Sequence, residues 1–302
     1  MGFKTRLSKK GPELSKVIAG VMNWGKWGAK LDQQAMSTLI EACVDHEITS
    51  FDHADIYGGY TTEAEFGEAL SSSSIKRDQV QLITKCGICY PCEARPEFAI
   101  KSYNTTKRYI MDCADRSLRN LQTKYIDVLL IHRPSPLMNI SEIAEAFSAL
   151  KAAGKVNYFG VSNFSTTQLQ MLQSHFPLVT HQIEASILHL DPFLNGTFDQ
   201  CQKNHFRPMI WSPLGGGKLF GESIDFEFVN RRSRLMEVAN RYDWSIDEMA
   251  YLFLLHHPAR LFPVTGSSKI DRILIAKQAY EKEITNDQWF EIWTASTGKR
   301  VP

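Results

Sequence analysis

Eight short apolar or β-branched runs alternate with longer amphipathic stretches along the 302 residues, and no linker or low-complexity tract interrupts them. This alternation predicts an α/β protein of the TIM, or (β/α)8 barrel, class, with additional helices after the seventh and eighth strands. The run Leu129-Leu130-Ile131 has no polar alternation, as expected of a strand covered on both faces. No G-x-G-x-x-G occurs, so a Rossmann dinucleotide site has no support. Barrels of this length form as one unit, and residues 1–302 are read as a single domain.

The strand candidates, in order, are 17–21, 49–51, 80–84, 127–131, 156–161, 179–183, 207–211 and 261–264. A polar lead before the first is expected to form a hairpin. Between strands, Ile110, Ala114, Ser117, Leu118 and Leu121 share one helical face, as do Ile143, Ala146, Phe147 and Leu150. Ser165 with Gln168, Ser245 with Glu248 and Thr285 with Gln288 fit the capping box, and Asn139 with Glu142 is a looser version. Gly154 closes the fourth helix. The extra helical material is expected at 228–255 and 285–297.

Composition narrows the function. A net charge of +1 gives no electrostatic reason for nucleic acid or an anionic membrane. There is no apolar run of spanning length and no signal-peptide pattern, and six cysteines in so long a chain suggest free thiols; the expected location is the cytoplasm. The sequons at Asn104, Asn139, Asn163 and Asn195 are then chance matches. Two motifs fail on inspection. Gly20 to Lys26 has P-loop spacing, but Trp27 stands where Ser or Thr must bind the metal. Cys86, Cys89 and Cys92 lack the fourth cysteine of an iron–sulfur run, and a redox-labile thiol group fits them better. His256-His257 is read as structural, and no metal is expected.

In a barrel, chemistry sits at the C-terminal ends of the strands. Strand two ends in Asp52 with Tyr57 beyond it, strand three in Lys85 and strand four in His132. An ammonium at Lys85, held by Asp52, would pull the Tyr57 phenol down from its usual pKa of about 10. The phenol then serves as general acid for a developing alkoxide, and His132 orients a carbonyl oxygen. With no strong nucleophile and no metal cage, the set suits hydride transfer better than hydrolysis.

The run Phe51-Asp52-His53-Ala54-Asp55-Ile56-Tyr57-Gly58 resembles the aldo-keto reductase signature. The resemblance continues through Thr84-Lys85, His132-Arg133-Pro134, Gly160 to Phe164, Trp211 to Gly217 and Gly266 to Arg272, covering nearly the whole chain in order. The run His132 to Met138 and the tail Gly298 to Pro302 look most like the YdhF-type bacterial oxidoreductase branch. The resemblance implies that Tyr57 is the proton donor, tuned by Lys85 and Asp52, with His132 positioning the carbonyl. It implies that Ser162, Asn163 and Gln182 hold a nicotinamide carboxamide, that Trp211 stacks on the ring, and that Ser212, Leu214 and Lys218 lie along the pyrophosphate. After strand eight, Gly266, Ser267 and Lys269 would open a helix whose N-terminus favours phosphate. Lys269 and Arg272, three apart, would grip a 2′-phosphate, which makes NADP(H) the expected cofactor. Ile275-Ala276 departs from the Glu-Asn common in the family, so no adenine contact is carried over.

Trp24, Trp27 and Tyr90 are expected around the mouth, making an apolar pocket for a small-molecule aldehyde or ketone. Arg133 and Arg95 would instead admit an anion. The function read from the sequence is an NADPH-dependent carbonyl reductase; the alternative is an NADPH-binding sensor or regulatory subunit with little turnover.

Overall fold

The computed structural model describes residues 2–221 and 224–301. Its strands are β1 (Lys4–Arg6), β2 (Glu13–Ser15), β3 (Ile18–Gly20), β4 (Ser50–Asp52), β5 (Gln81–Cys86), β6 (Ile88–Cys89), β7 (Ser102–Tyr103), β8 (Ile126–Ile131), β9 (Val156–Ser162), β10 (His181–Glu184), β11 (Met209–Trp211) and β12 (Phe262–Thr265). Eight of them close a barrel in the order β3-β4-β5-β8-β9-β10-β11-β12, every pair parallel. All eight sequence candidates are barrel strands, with ends shifted by one or two residues. The most consequential shift extends β5 to Cys86, which puts Lys85 inside the strand.

The helices are α1 (Gln33–Asp45), α2 (Thr62–Ser72), α3 (Lys107–Asn120), α4 (Ile140–Ala152), α5 (Thr166–Gln173), α6 (Asp191–Leu194), α7 (Thr197–Lys203), α8 (Phe226–Arg241), α9 (Ile246–Leu255), α10 (Ile270–Gln278) and α11 (Asn286–Thr297). Two of the capping boxes form in full, at Ser165 and Thr285. Ser245 caps Glu248 N but turns its own hydroxyl to Asp247, and Asn139 caps Ser141 N, so neither closes the reciprocal bond. The expected helical stretch after the seventh barrel strand is two helices, because Asp243 takes a left-handed φ of 54° and Ser245 starts α9 afresh.

The interior divides into two layers. Ile18, Ile83, Val128, Leu130, Met209, Phe262 and Val264 fill the barrel lumen, while Phe51, Leu82, Leu129, Ile131 and Ile210 pack outward against the helices. The expected hairpin forms from β1 and β2. Leu7 and Leu14 from that lead join the lumen cluster and plug its floor, each contributing roughly 2 kcal/mol by burial.

The same two-residue alternation places the chemistry. On β5, Lys85 shares the inward parity of Ile83; His132 continues that of Val128 and Leu130; Trp211 follows Met209. Asp52 and Gln182 alternate with outward Phe51 and Ile183. Apolar side chains fill the lower lumen, and where the strands end at the upper rim the inward residues turn polar.

Candidate active site

At that rim Lys85 is the hub. Its ammonium donates to Asp52 Oδ2 at 2.7 Å, to the His53 carbonyl oxygen at 2.7 Å and to Tyr57 Oη at 3.1 Å. An ammonium has three protons, so all three are engaged. Asp52 accepts a second bond, from Gln182 Nε2 at 2.7 Å, which ties β4 across the lumen to β10. Tyr57 is brought over the pair by the turn after β4: Gly58 takes φ 65°, and a Cβ there would meet the hydroxyls of Thr61 and Thr62 at 2.6 and 2.5 Å. His132 stands edge-on to the Tyr57 ring, their centroids 6.1 Å apart.

The charge states differ in one respect from the sequence expectation. The Tyr57 phenol is pushed up, not down: burial is the largest influence, and the attraction of the Lys85 ammonium only offsets part of it. Lys85 remains cationic because its bonds and charge contacts with Asp52 and Tyr57 outweigh its burial. Burial, followed by the charges of Lys85, Arg133 and Lys101, drives His132 well below the usual imidazole range and keeps it neutral. Asp55, the second acid of the segment, is buried, which pushes its carboxyl well above the usual carboxylate range, and its backbone N–H donates to the Lys85 carbonyl. It does not reach the phenol's tuning pair.

The pocket wall needs one correction. Trp24 is fully buried, its ring against Phe51 and Phe66 and its indole N–H on the Ser267 carbonyl, so it is core rather than pocket. Trp27, flanked by glycine and lysine in the same loop, takes the place at the mouth, 40% exposed and 6.2 Å from Tyr57. Tyr90 faces it at 5.7 Å, held by its backbone N–H on Tyr60 Oη. The small antiparallel pair β6–β7 stands in the loop that carries Tyr90.

On the opposite side, Ser162 Oγ accepts from Asn163 Nδ2 at 2.7 Å, and Asn163 Oδ1 accepts the Trp211 indole N–H at 2.9 Å. Asn163 takes a left-handed φ of 60°, which turns its amide from the strand into this cluster. Gln182 is tied to the tuning pair, since one of its amide N–H groups is engaged by Asp52; its carbonyl oxygen and second N–H are left for a carboxamide. Beyond β11, Ser212 and Gly215-Gly216-Gly217 all take positive φ, exposing backbone around half-buried Leu214 and exposed Lys218. Gly266, Ser267 and Lys269 lead into α10. Lys269 is extended (φ −123°, ψ 124°) and precedes the first turn, so it and Arg272 do not share a helical face as expected, although both are exposed.

These residues fit a dinucleotide phosphate. The N-terminus of α10 has no side-chain cap, which leaves first-turn N–H groups to an anion. Lys269 and Arg272 offset the one acid there, Asp271. Among the described residues, no three His, Cys, Asp or Glu side chains are gathered as metal ligands. Cys86 and Cys89 are buried and Cys92 is half-buried beside the Gly59 carbonyl. His256 Nε2 bonds Asn286, and His257 Nδ1 accepts from Ala259 N.

A closed parallel barrel whose rim joins a phenol, an ammonium, a carboxylate and a neutral imidazole defines a class of acid–base oxidoreductases built on this fold. The chain belongs to the aldo/keto reductase family, whose model matches residues 16–296. It is 47% identical over 293 residues to an uncharacterized oxidoreductase, YcsN, of Bacillus subtilis, covering 96% of this chain and 97% of that one. Oxidoreductase YdhF of Escherichia coli is 42% identical over 299 residues, with 98% of each chain covered. A 6-dehydroglucose reductase of Agrobacterium fabrum is 38% identical over 291 residues, 96% of each. The YdhF-type branch read from the sequence agrees with the first two.

Proposed function

We propose that the protein is an NADPH-dependent reductase of small aldehydes or ketones, with Tyr57 as the proton donor. The observation that carries this reading is the direction of the Lys85 hydrogen bonds. Because the ammonium donates to Tyr57 Oη, the phenol's own proton points away from Lys85 and is free to be given to a substrate oxygen. A phenol whose pKa is raised stays protonated at neutral pH, and it is still a far stronger acid than the alcohol it would create. As its proton leaves, Lys85 stands ready to stabilise the phenolate, and Asp52 holds Lys85 in place through a bond that Gln182 shares. Neutral His132 offers an N–H to the carbonyl oxygen, fixing the direction from which that oxygen meets Tyr57. A nicotinamide held at this rim would supply the hydride. Ser162, Asn163, Trp211 and the Gln182 carbonyl would hold its ring; Ser212, Leu214, Lys218 and the glycine run its pyrophosphate; and Gly266, Ser267, Lys269 and Arg272 its 2′-phosphate. Trp27 and Tyr90 shield the reacting carbon from water.

The 6-dehydroglucose reductase relative adds sugar carbonyls to the candidate substrates. The cysteines are all free, which accords with a reducing, cytoplasmic setting, and among the described residues no helix is long and apolar enough to cross a membrane. The test is NADPH oxidation against a panel of aldehydes, ketones and sugar aldehydes, alongside NADPH binding measured by tryptophan quenching. Steady turnover of several panel members supports the reductase. Tight NADPH binding with no more than a single slow turnover would favour the sensor reading instead.

A further inference from the structure

One cation at the rim has no role in that mechanism. Arg133 follows His132 directly after β8 and is half-buried. Its guanidinium lies over the Trp211 ring, 5.4 Å from the centroid, and Trp211 is itself fixed by its bond to Asn163. The group is therefore held in place rather than swinging in solvent. Its charge reaches both reacting groups, since it favours the Tyr57 phenolate and opposes charging of His132.

What Arg133 lacks is an anion. Arg77 is paired with Asp127, Arg241 with Glu291, and Arg95, the other arginine near the mouth, with Glu97. Among the described residues Arg133 makes no ion pair and no hydrogen bond, and neither does Lys101, which also acts on His132. Two carboxylates at the rim have inward parity: Asp52 is taken by Lys85 and Gln182, and Glu184, level with Trp211 in the β10–β11 register, forms no ion pair with Arg133. Arg133 thus stands on the Trp211 ring, beside the carbonyl site, with no carboxylate paired to it among the described residues. A planar fork of donors held on an aromatic ring matches a carboxylate or phosphate bidentately.

Resting on the reductase reading above, we propose that Arg133 anchors an oxyanion on the substrate, so that the preferred compounds are aldehydes or ketones bearing a carboxylate or phosphate. The carbonyl sits at Tyr57 and His132, and the anion lies on the Arg133–Trp211 side, away from Trp27 and Tyr90. The contact is made equally before and during hydride transfer, so it acts on KM more than on kcat.

The experiment compares matched pairs, succinic semialdehyde with butanal and glyceraldehyde 3-phosphate with glyceraldehyde, in the wild type, Arg133→Met and Arg133→Lys. The ratio of kcat/KM within a pair is expected to favour the anionic member by about tenfold or more, the size of one charge-assisted hydrogen bond. Arg133→Met, which keeps an apolar stem against Trp211, is expected to lower that ratio by about tenfold through KM, and Arg133→Lys to restore part of it. The pair with the larger ratio tells carboxylate from phosphate. Calorimetric binding of succinate to the wild type, lost in Arg133→Met, supports the anchor independently of turnover. An unchanged ratio in Arg133→Met, no succinate binding by the wild type, or a loss of NADPH affinity in its place would overturn the proposal. Succinate binding with no turnover of any of the four aldehydes would instead refute the reductase reading and leave the anchor standing.

Discussion

The buried pair Asp52–Lys85 makes a quantitative prediction. Their side chains are 3% and 1% exposed, and the Nζ–Oδ2 distance is 2.7 Å. At an effective dielectric constant of about 20, two unit charges at that distance attract by ~6 kcal/mol. Desolvation cancels much of this, so the pair as a whole contributes little, but breaking it by removing one partner is expected to cost ~3–5 kcal/mol. Asp52→Asn leaves the ammonium with neutral acceptors alone, among them the His53 carbonyl and Tyr57 Oη; Lys85→Met leaves a carboxylate with only Gln182. The double variant removes both charges and should lose far less than the sum of the singles, giving a coupling of at least ~3 kcal/mol in a double-mutant cycle. Urea unfolding of the four proteins measures it. In Asp52→Asn, burial without its partner lowers the Lys85 pKa below the unfolded value, so the unfolded chain binds more protons and stability recovers as pH rises toward 10. Additive single losses, or a deficit in Asp52→Asn independent of pH, would refute the account of this pair.

Three further outcomes follow from the same geometry. His53 is buried with neither ring nitrogen partnered, stacks edge-on against Phe66 at 4.3 Å, and is driven by burial down to about 3. The unfolded chain therefore takes up a proton that the folded chain refuses between about pH 6.5 and 3. His53→Phe should reduce the loss of stability on acidification by ~1.4 kcal/mol per pH unit in that window, read from urea melts at pH 6.5, 5.5 and 4.5; an unchanged slope counts against it. Trp24→Ala is expected to cost ~3–5 kcal/mol in the same assay as a core cavity, whereas Trp27→Ala should leave stability nearly intact and raise KM for aldehydes; the reverse pattern would restore Trp24 to the pocket. Lys269→Ala with Arg272→Ala should weaken NADPH binding by about tenfold and leave NADH within about twofold, in fluorescence titrations at fixed salt; equal losses for both would show that the two cations serve the shared pyrophosphate.

The barrel was legible because strand alternation and the apolar run Leu129 to Ile131 report burial on two faces, a property of sequence alone. The rim residues were legible for a related reason: Asp52, Lys85 and His132 are each one polar residue at the end of an apolar run, and Tyr57 follows Asp52 in the next loop. Four features were not. Trp24 and Trp27 lie three apart in one loop, and which of them turns inward depends on Phe51 and Phe66, brought beneath that loop by other segments. The best local sign was the glycine and lysine flanking Trp27. Gln182 could not be read as a partner of Asp52, since the bond crosses the lumen between residues 130 positions apart. The rise in the Tyr57 pKa was missed because the sequence displays the charge on Lys85 but not the burial that outweighs it. The unpaired state of Arg133 likewise appears only in the folded chain, where among the described residues no carboxylate forms an ion pair with it.

The most direct test of the central claim is Tyr57→Phe, which removes one oxygen and leaves the ring against Trp27 and His132. With an aldehyde that the wild type reduces, the account predicts NADPH affinity within about twofold of wild type and turnover lower by at least about 100-fold, the contribution of a positioned general acid. Turnover within about threefold of wild type, with NADPH still bound, would contradict it.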